Sequence, residues 1–127
     1  LRGLHWQKDP HAQDKLVRAT TGSVLDVAVD IRKDSPTFGK YAAVELTEEN
    51  HKMFLVPRGF AHGFVALSDI VDFEYMVGGG TYNKESEGAI IWNDPDIAID
   101  WGVKDPLVSE KDSKAPRFKD VPESDLF

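Results

Sequence analysis

The sequence predicts an all-β fold, an antiparallel sandwich or barrel, on three observations. Runs of β-branched and aromatic residues are short, and Gly, Pro, Asp or Asn interrupts them about every ten residues. Helical periodicity is almost absent.

In chain order, Leu4-His5-Trp6-Gln7 reads as an extended run. Strands are expected near Lys15–Thr20, Ser23–Ile31, Tyr41–Leu46, Lys52–Val56, Gly63–Leu67 and Val71–Val77, with a weaker one near Ala89–Trp92. Thr21-Gly22, Lys33–Thr37 and Ser68-Asp69 carry turn-forming residues between them. Thr47–Asn50 reads as one helical turn capped by its own threonine, and Gly78-Gly79-Gly80 as a flexible loop. Beyond Trp92, Asp, Asn and Pro alternate with few apolar anchors. This is irregular chain laid over a scaffold, either as peripheral wrapping or as a supplier of site residues.

A chain of 127 residues fits a single domain, residues 1–127. Fifteen Lys and Arg against 22 Asp and Glu give a net charge of −7. That field repels nucleic acid and anionic membrane, so an anionic ligand would need a local basic pocket. No cysteine is present, which excludes disulfides, a thiol nucleophile and thiolate metal sites. No apolar run approaches the ~20 residues of a membrane helix, and no signal-like segment opens the sequence. A soluble cytoplasmic protein is the expectation.

The four histidines, at 5, 11, 51 and 62, include no closely spaced pair, so no preformed divalent metal site is expected. On an extended run His5 and Gln7 share one side and Leu4 and Trp6 the other. His5 is then either a base in a cavity or a core-edge histidine satisfied by hydrogen bonds. Tyr75 shares a face with Phe73 and Val77, opposite Asp72 and Glu74, which turns its hydroxyl inward toward a partner or a ligand. Lys15 shares parity with buried-type Val17, so it either faces a polar cavity or reaches water at a strand end. His62 also points inward by alternation. Asp26 and Asp30, opposite Leu25, Val27 and Val29, are either an exposed face or a polar barrel lining. Hydroxyls at Thr20, Tyr82 and Ser109 form no nucleophile elbow, and Gly78–Gly80 lacks the Lys-Ser/Thr of a phosphate loop.

Several segments together resemble the dTDP-4-dehydrorhamnose 3,5-epimerase family: Leu1–Gln7, Lys15–Arg18, Asp26–Asp30, Ser35–Gly39, Pro57–Phe64, Trp92–Pro95 and Leu107–Asp112. The resemblance runs over nearly the whole chain. It implies a metal-free, cofactor-free cupin or jelly-roll antiparallel β-barrel with a short irregular or helical C-terminal segment, usually a homodimer. It also implies an N-terminal part of the family domain, with strands exchanged across the dimer, that would precede Leu1. The implied substrate is a dTDP-linked 4-keto-6-deoxyhexose, inverted at C3 and C5. By likeness His5 matches the base, Asp112 the aspartate that orients it, Tyr75 the acid and Lys15 the lysine near the keto oxygen. Arg2 matches an arginine that grips the diphosphate, His62 a sugar contact and Tyr82 the aromatic that stacks on thymine. Glu87 and Lys111 fall at further binding positions.

The chemistry makes these residue types intelligible. A C–H beside a ketone is acidic only because the resulting anion spreads onto oxygen, which calls for a base and a positive or hydrogen-bonding group at that oxygen. Inversion further needs a proton donor on the opposite face. The alternatives are a C3-only epimerase, a related 3,4-ketoisomerase, and a sugar-binding barrel without turnover. Between Tyr75 and Trp92 the sequence departs from the family by an extra residue and the triple glycine, so the register of Tyr82 and Glu87 is left to the structure.

Overall fold

The computed structural model describes residues 1–127. Eight strands form in order: β1 (Arg2–Gln7), β2 (Gln13–Thr21), β3 (Ser23–Asp30), β4 (Tyr41–Thr47), β5 (Phe54–Val56), β6 (Phe60–Ala66), β7 (Asp72–Gly79) and β8 (Glu87–Ala89). They make two antiparallel sheets, a five-stranded one in the order β4-β3-β6-β1-β8 and a three-stranded one in the order β5-β2-β7. This is the two-sheet barrel expected of the jelly-roll class. No helix is long and apolar enough to cross a membrane.

Two hydrophobic clusters show how the sheets are used. Between them, Val17 and Ala19 of β2 meet Val24 of β3 and Leu46 of β4, with Phe54, Phe64 and Phe73 packed alongside. This closes one end of the barrel. The larger cluster lies on the opposite face of the five-stranded sheet. There Leu4, Trp6, Val27, Val29, Ile31, Ala61, Val65 and Ile90 are covered by Ile97, Trp101 and Val121 of the C-terminal chain. Fully burying such an aliphatic side chain contributes roughly 1.5–3 kcal/mol, so the tail is a second core layer. It is pinned by hydrogen bonds as well: Trp6 Nε1 donates to the Asp125 carbonyl at 2.8 Å, and Lys33 N donates to the Phe127 carbonyl at 2.7 Å.

Because apolar residues of β1, β3 and β6 face the tail, the alternate residues face the barrel interior: His5 and Gln7, Asp26, His62 and Phe64. The barrel thus has an apolar floor and a polar mouth. Gly88 sits flat against Trp6, where an added Cβ would lie 2.2 Å from Cε2 of the indole. Any side chain there would push β8 off β1.

Several expected boundaries shift. The strand expected at Ala89–Trp92 is Glu87–Ala89, although Ile90 still exchanges both backbone hydrogen bonds with Leu4. The strands expected at Lys52–Val56 and Gly63–Leu67 are Phe54–Val56 and Phe60–Ala66. Thr47–Asn50 is a turn and not a helical one: Thr47 N donates to Asn50 Oδ1 and Asn50 N to Thr47 Oγ1, which satisfies both amides by side chains. Gly78 and Gly79 extend β7 and do not form a loop. An added Cβ on Gly80 would fall 2.5 Å from backbone atoms of His11, so that glycine serves close chain packing. The tail beyond Trp92 is irregular as expected, apart from a short helix α1 (Glu110–Ser113) and two 3-10 turns.

Candidate active site

His5 projects from β1 into the barrel mouth. Its Nε2 lies 2.6 Å from Oδ1 of Asp112, whose other oxygen accepts from Gly3 N at 3.0 Å. Asp112 comes from α1, whose first turn is capped by Ser109: its Oγ accepts from Asp112 N at 3.2 Å. The tail therefore both wraps the sheet and supplies a site residue. Burial pushes the Asp112 carboxyl up, but the Gly3 amide and the His5 ring outweigh it and hold the group below its ordinary value. A carboxylate that stays ionised against one imidazole nitrogen selects the tautomer with its proton there, leaving Nδ1 as the basic nitrogen.

Arg2 and His5 are three residues apart, so strict alternation would put them on opposite faces. Between them the pairing of β1 with β6 shifts register. Gly3, at φ +125°, sits so close to Gly63 that an added Cβ would be 2.5 Å from its Cα. That irregularity turns both Arg2 and His5 toward one cavity, which is also lined by Lys15, His62, Gly63, Phe64 and Tyr75.

Lys15 faces His5 from the three-stranded side of that cavity and has no hydrogen-bond or ion-pair partner in the protein. Burial, then the nearby Arg2 charge, lower its pKa from the usual lysine value, partly offset by Asp26 and Glu87. Asp26, fully buried, accepts from His62 Nε2 through both oxygens at 2.9 and 3.0 Å. Burial raises its pKa, and His62 and Lys15 oppose that rise. Asp26 thus supports the cavity lining through His62 from beneath, on the inner side that was one of the two places sequence reading left open, without itself reaching the opening. Asp30 has no such part. It is buried at the strand end, where Arg32, Ser35 and Thr37 all donate to it.

Tyr75, on β7 opposite Val17 of β2, reaches the cavity from the sheet that faces His5. Its ring packs edge-on against Phe73 at 5.5 Å between centroids, and Phe73 packs on Phe64 at 4.5 Å. A row of aromatics therefore carries the phenol from the apolar floor to the mouth. The expected inward face of Phe73, Tyr75 and Val77 is the one observed.

The mouth widens into a second hollow lined by residues that include Arg2, His5, Gln7, Lys15, Tyr75, Tyr82 and Glu87. Tyr82 is mostly exposed, its hydroxyl 3.4 Å from Glu87 Oε2, and Lys111 Nζ lies 2.7 Å from Glu87 Oε1. Burial raises the Glu87 carboxyl, but Lys111, His5 and Tyr82 outweigh it and hold it below its ordinary value. The Tyr82 and Glu87 register is set by Asn83, whose side chain caps the turn at Lys84–Ser86. Seven of the nine residues singled out by resemblance line one connected opening. Asp112 stands behind His5, and Lys111 touches the opening through Glu87.

Such a mouth can take up an anion at Arg2, Lys15 and Lys111, abstract a proton at His5, and present a hydroxyl at Tyr75 from the other sheet. Nowhere do three His, Cys, Asp or Glu side chains converge as metal ligands would. Gln7, in the lining, and Asp26, beneath it against His62, are residues to which sequence reading assigned no catalytic or binding role. Their parity was visible, but which face of the sheet was the cavity was not.

A family model described as dTDP-4-dehydrorhamnose 3,5-epimerase matches residues 1–120. The dTDP-4-dehydrorhamnose 3,5-epimerase of Shigella flexneri is 52% identical over 121 residues, covering 95% of this chain and 66% of that protein. The structure of dTDP-4-dehydrorhamnose 3,5-epimerase from Elizabethkingia anophelis is similar at a TM-score of 0.91 and 55% identity, covering 94% of this chain and 66% of that one. That of dTDP-6-deoxy-D-glucose-3,5-epimerase from Legionella pneumophila, in complex with dTDP-4-keto-L-rhamnose, gives 0.92 and 44%, covering 98% and 66%. The chain spans 66% of the length of each of these relatives. Matched over nearly all of its own residues, it belongs to the dTDP-4-dehydrorhamnose 3,5-epimerase family.

Proposed function

We propose that the protein epimerises a dTDP-linked 4-keto-6-deoxyhexose at C3 and C5 by enolisation, with His5 as the base and Tyr75 as the acid. The observation that carries this reading is that His5 and Tyr75 enter one cavity from opposite sheets. A pyranose held between them is approached on both faces.

In each inversion His5 Nδ1 takes the proton from the carbon beside the ketone, the C–H electron pair becomes the C=C bond of the enolate, and the carbonyl π pair moves onto the keto oxygen. Asp112 stabilises the imidazolium that forms. Lys15, a cation in a partly dry site without a competing partner, stabilises the enolate oxygen. Tyr75 then donates its proton to the opposite face, a new C–H bond forms and the carbonyl returns. The reaction is redox-neutral: His5 gives its acquired proton to solvent, and solvent returns one to Tyr75. Arg2 is assigned to the diphosphate, His62 to the sugar, Tyr82 to the thymine, and Glu87 with Lys111 to the rim of the nucleotide site. The Legionella pneumophila relative, solved with dTDP-4-keto-L-rhamnose, supports this substrate class. We place the protein in the cytoplasm, which its lack of cysteine fits.

A homodimer fits one further feature. Leu16 of β2 lies directly between Leu55 of β5 and Met76 of β7, on the outer face of the three-stranded sheet. Leu55 and Met76 are more than half exposed. Sedimentation of the protein and of a Leu55→Glu variant tests this, a shift from dimer to monomer being the expected result.

The activity is tested by incubating the protein with the 4-keto-6-deoxyglucose nucleotide in deuterium oxide. Exchange at C3 and C5 with product inverted at both centres is expected, and loss of exchange in His5→Ala. Inversion at C3 alone would make the protein a monoepimerase. Undiminished exchange in His5→Ala would reject the assigned base.

A further inference from the structure

Gln7 is 5% exposed and stands two residues beyond His5 on the same face of β1. Its Oε1 accepts a hydrogen bond from Asn83 N at 2.9 Å. That bond fixes the amide: the carbonyl oxygen must face the backbone donor, so the NH₂ group takes the other side. The side chain's one hydrogen bond in the protein is this one, through Oε1, and Nε2 donates none. Glu87, the carboxylate that lines the same opening, is engaged by Lys111 and Tyr82. Gln13 Nε2, by contrast, donates to the Gly80 carbonyl at 3.0 Å. Gln7, buried over most of its side chain, therefore brings an unpartnered amide NH₂ to the wall of the opening that holds His5, Lys15 and Tyr75, where the group keeps access to the opening. A donor in the wall of such an opening, with no acceptor in the protein, is satisfied by water until a ligand oxygen replaces it.

We infer that Gln7 is a further substrate-binding residue, its Nε2 donating a hydrogen bond to an oxygen of the bound nucleotide sugar while Oε1 holds the segment that carries Tyr82. The inference rests on the proposed function and deepens it. One side chain serves two purposes at once. It fixes Asn83, and with it the Tyr82 turn, and it contributes a neutral amide donor beside the charged Arg2 and Lys15 of the same opening. Two residues of strand place Gln7 about 7 Å from His5, roughly the width of a pyranose with its hydroxyls.

The two purposes are separated by a double-mutant cycle on affinity for dTDP-glucose and for dTDP, read by calorimetry on the intact protein. Gln7→Met keeps the side-chain length and removes both hydrogen bonds. In a Tyr82→Ala background the turn no longer carries its stacking ring, so any further loss from Gln7→Met reports the Nε2 donor. The expected result is a loss of about tenfold from Gln7→Met in the Tyr82→Ala background, and a larger loss in the wild-type background, where the turn is released as well. A loss confined to dTDP-glucose assigns the acceptor to the sugar, and a loss shared with dTDP assigns it to the nucleotide. Equal affinities of Tyr82→Ala and the double variant would overturn the inference, since Gln7 would then act only through the turn. Should Gln7→Met fail to fold, Gln7→Glu keeps an acceptor for Asn83 N and removes the donor, and the same comparison applies. Wild-type protein that binds neither ligand defeats the proposed function as well, whereas wild-type binding with no effect at Gln7 defeats this inference alone.

Discussion

Nε2 of His5 lies 2.6 Å from Oδ1 of Asp112, a residue 107 positions later in the chain, and the second oxygen of that carboxylate takes the amide of Gly3. One carboxylate thus fixes both the ring and the strand irregularity that aims it. Asp112→Asn keeps the shape but can present an NH₂ group to Nε2, which favours the tautomer protonated on Nδ1 and removes the base. We expect kcat for exchange to fall by about 10²-fold or more, with dTDP affinity unchanged. Steady-state kinetics with calorimetry check this, and an unchanged kcat would count against the assigned dyad.

Lys15 gives a pH prediction. Its pKa is lowered by burial and by Arg2, so the cation is lost at a lower pH than for an ordinary lysine. Stabilisation of the enolate is present below that shifted value and disappears as pH rises through it. The alkaline limb of kcat against pH should therefore begin below the ordinary lysine range. In Lys15→Arg, which stays charged, that limb should move up. Identical alkaline limbs in the two proteins would assign it to another group.

Strand parity made much of the barrel and part of the site legible. Phe73, Tyr75 and Val77 alternate against Asp72 and Glu74, and Lys15 follows Val17, so their inward faces could be read off directly. On β3 the same rule gave the parity of Asp26 without its meaning. Both faces of that strand are buried, and the tail covers the apolar one. The usual equation of polar with exposed is therefore inverted there. Arg2 escaped alternation because the register shift at Gly3 resets the period, a three-dimensional event with no sequence periodicity. Asp112 escaped because nothing local records a contact spanning most of the chain. Resemblance supplied both residues, while periodicity alone would have missed them.

Asp30 holds the loop after β3 and should govern acid stability. Burial pushes its carboxyl up, but hydrogen bonds from Arg32, Ser35 and Thr37 outweigh it and hold the group far below the ordinary carboxylate range. A carboxyl depressed in the folded state stabilises the protein above its unfolded pKa of about 4, and that stabilisation fades as pH falls toward the folded value. Asp30→Asn should cost about 2 kcal/mol at pH 7. The difference from wild type should shrink as the pH is lowered below about 4. Urea unfolding at several pH values measures it, and a pH-independent difference would show that the loop relies on shape alone.

Tyr82 stands at the rim, mostly exposed, with one long hydrogen bond to Glu87 and little packing of its own. A side chain so placed contributes little to stability, so its removal reports ligand contact. Stacking of a base on an aromatic ring is worth about 1–3 kcal/mol, or roughly 5- to 150-fold in affinity. Tyr82→Ala should therefore raise KM by a factor in that range, with kcat nearly unchanged, because the ring acts on the nucleotide and not on the reacting carbon. Tyr82→Phe keeps the ring and gives up only the bond to Glu87, so it should stay close to wild type. If Tyr82→Phe were as impaired as Tyr82→Ala, the hydroxyl and its tie to the Glu87–Lys111 pair would be the working element, and the thymine would have to rest elsewhere. The pair of variants thus decides between a stacking surface and a polar clasp at the same rim.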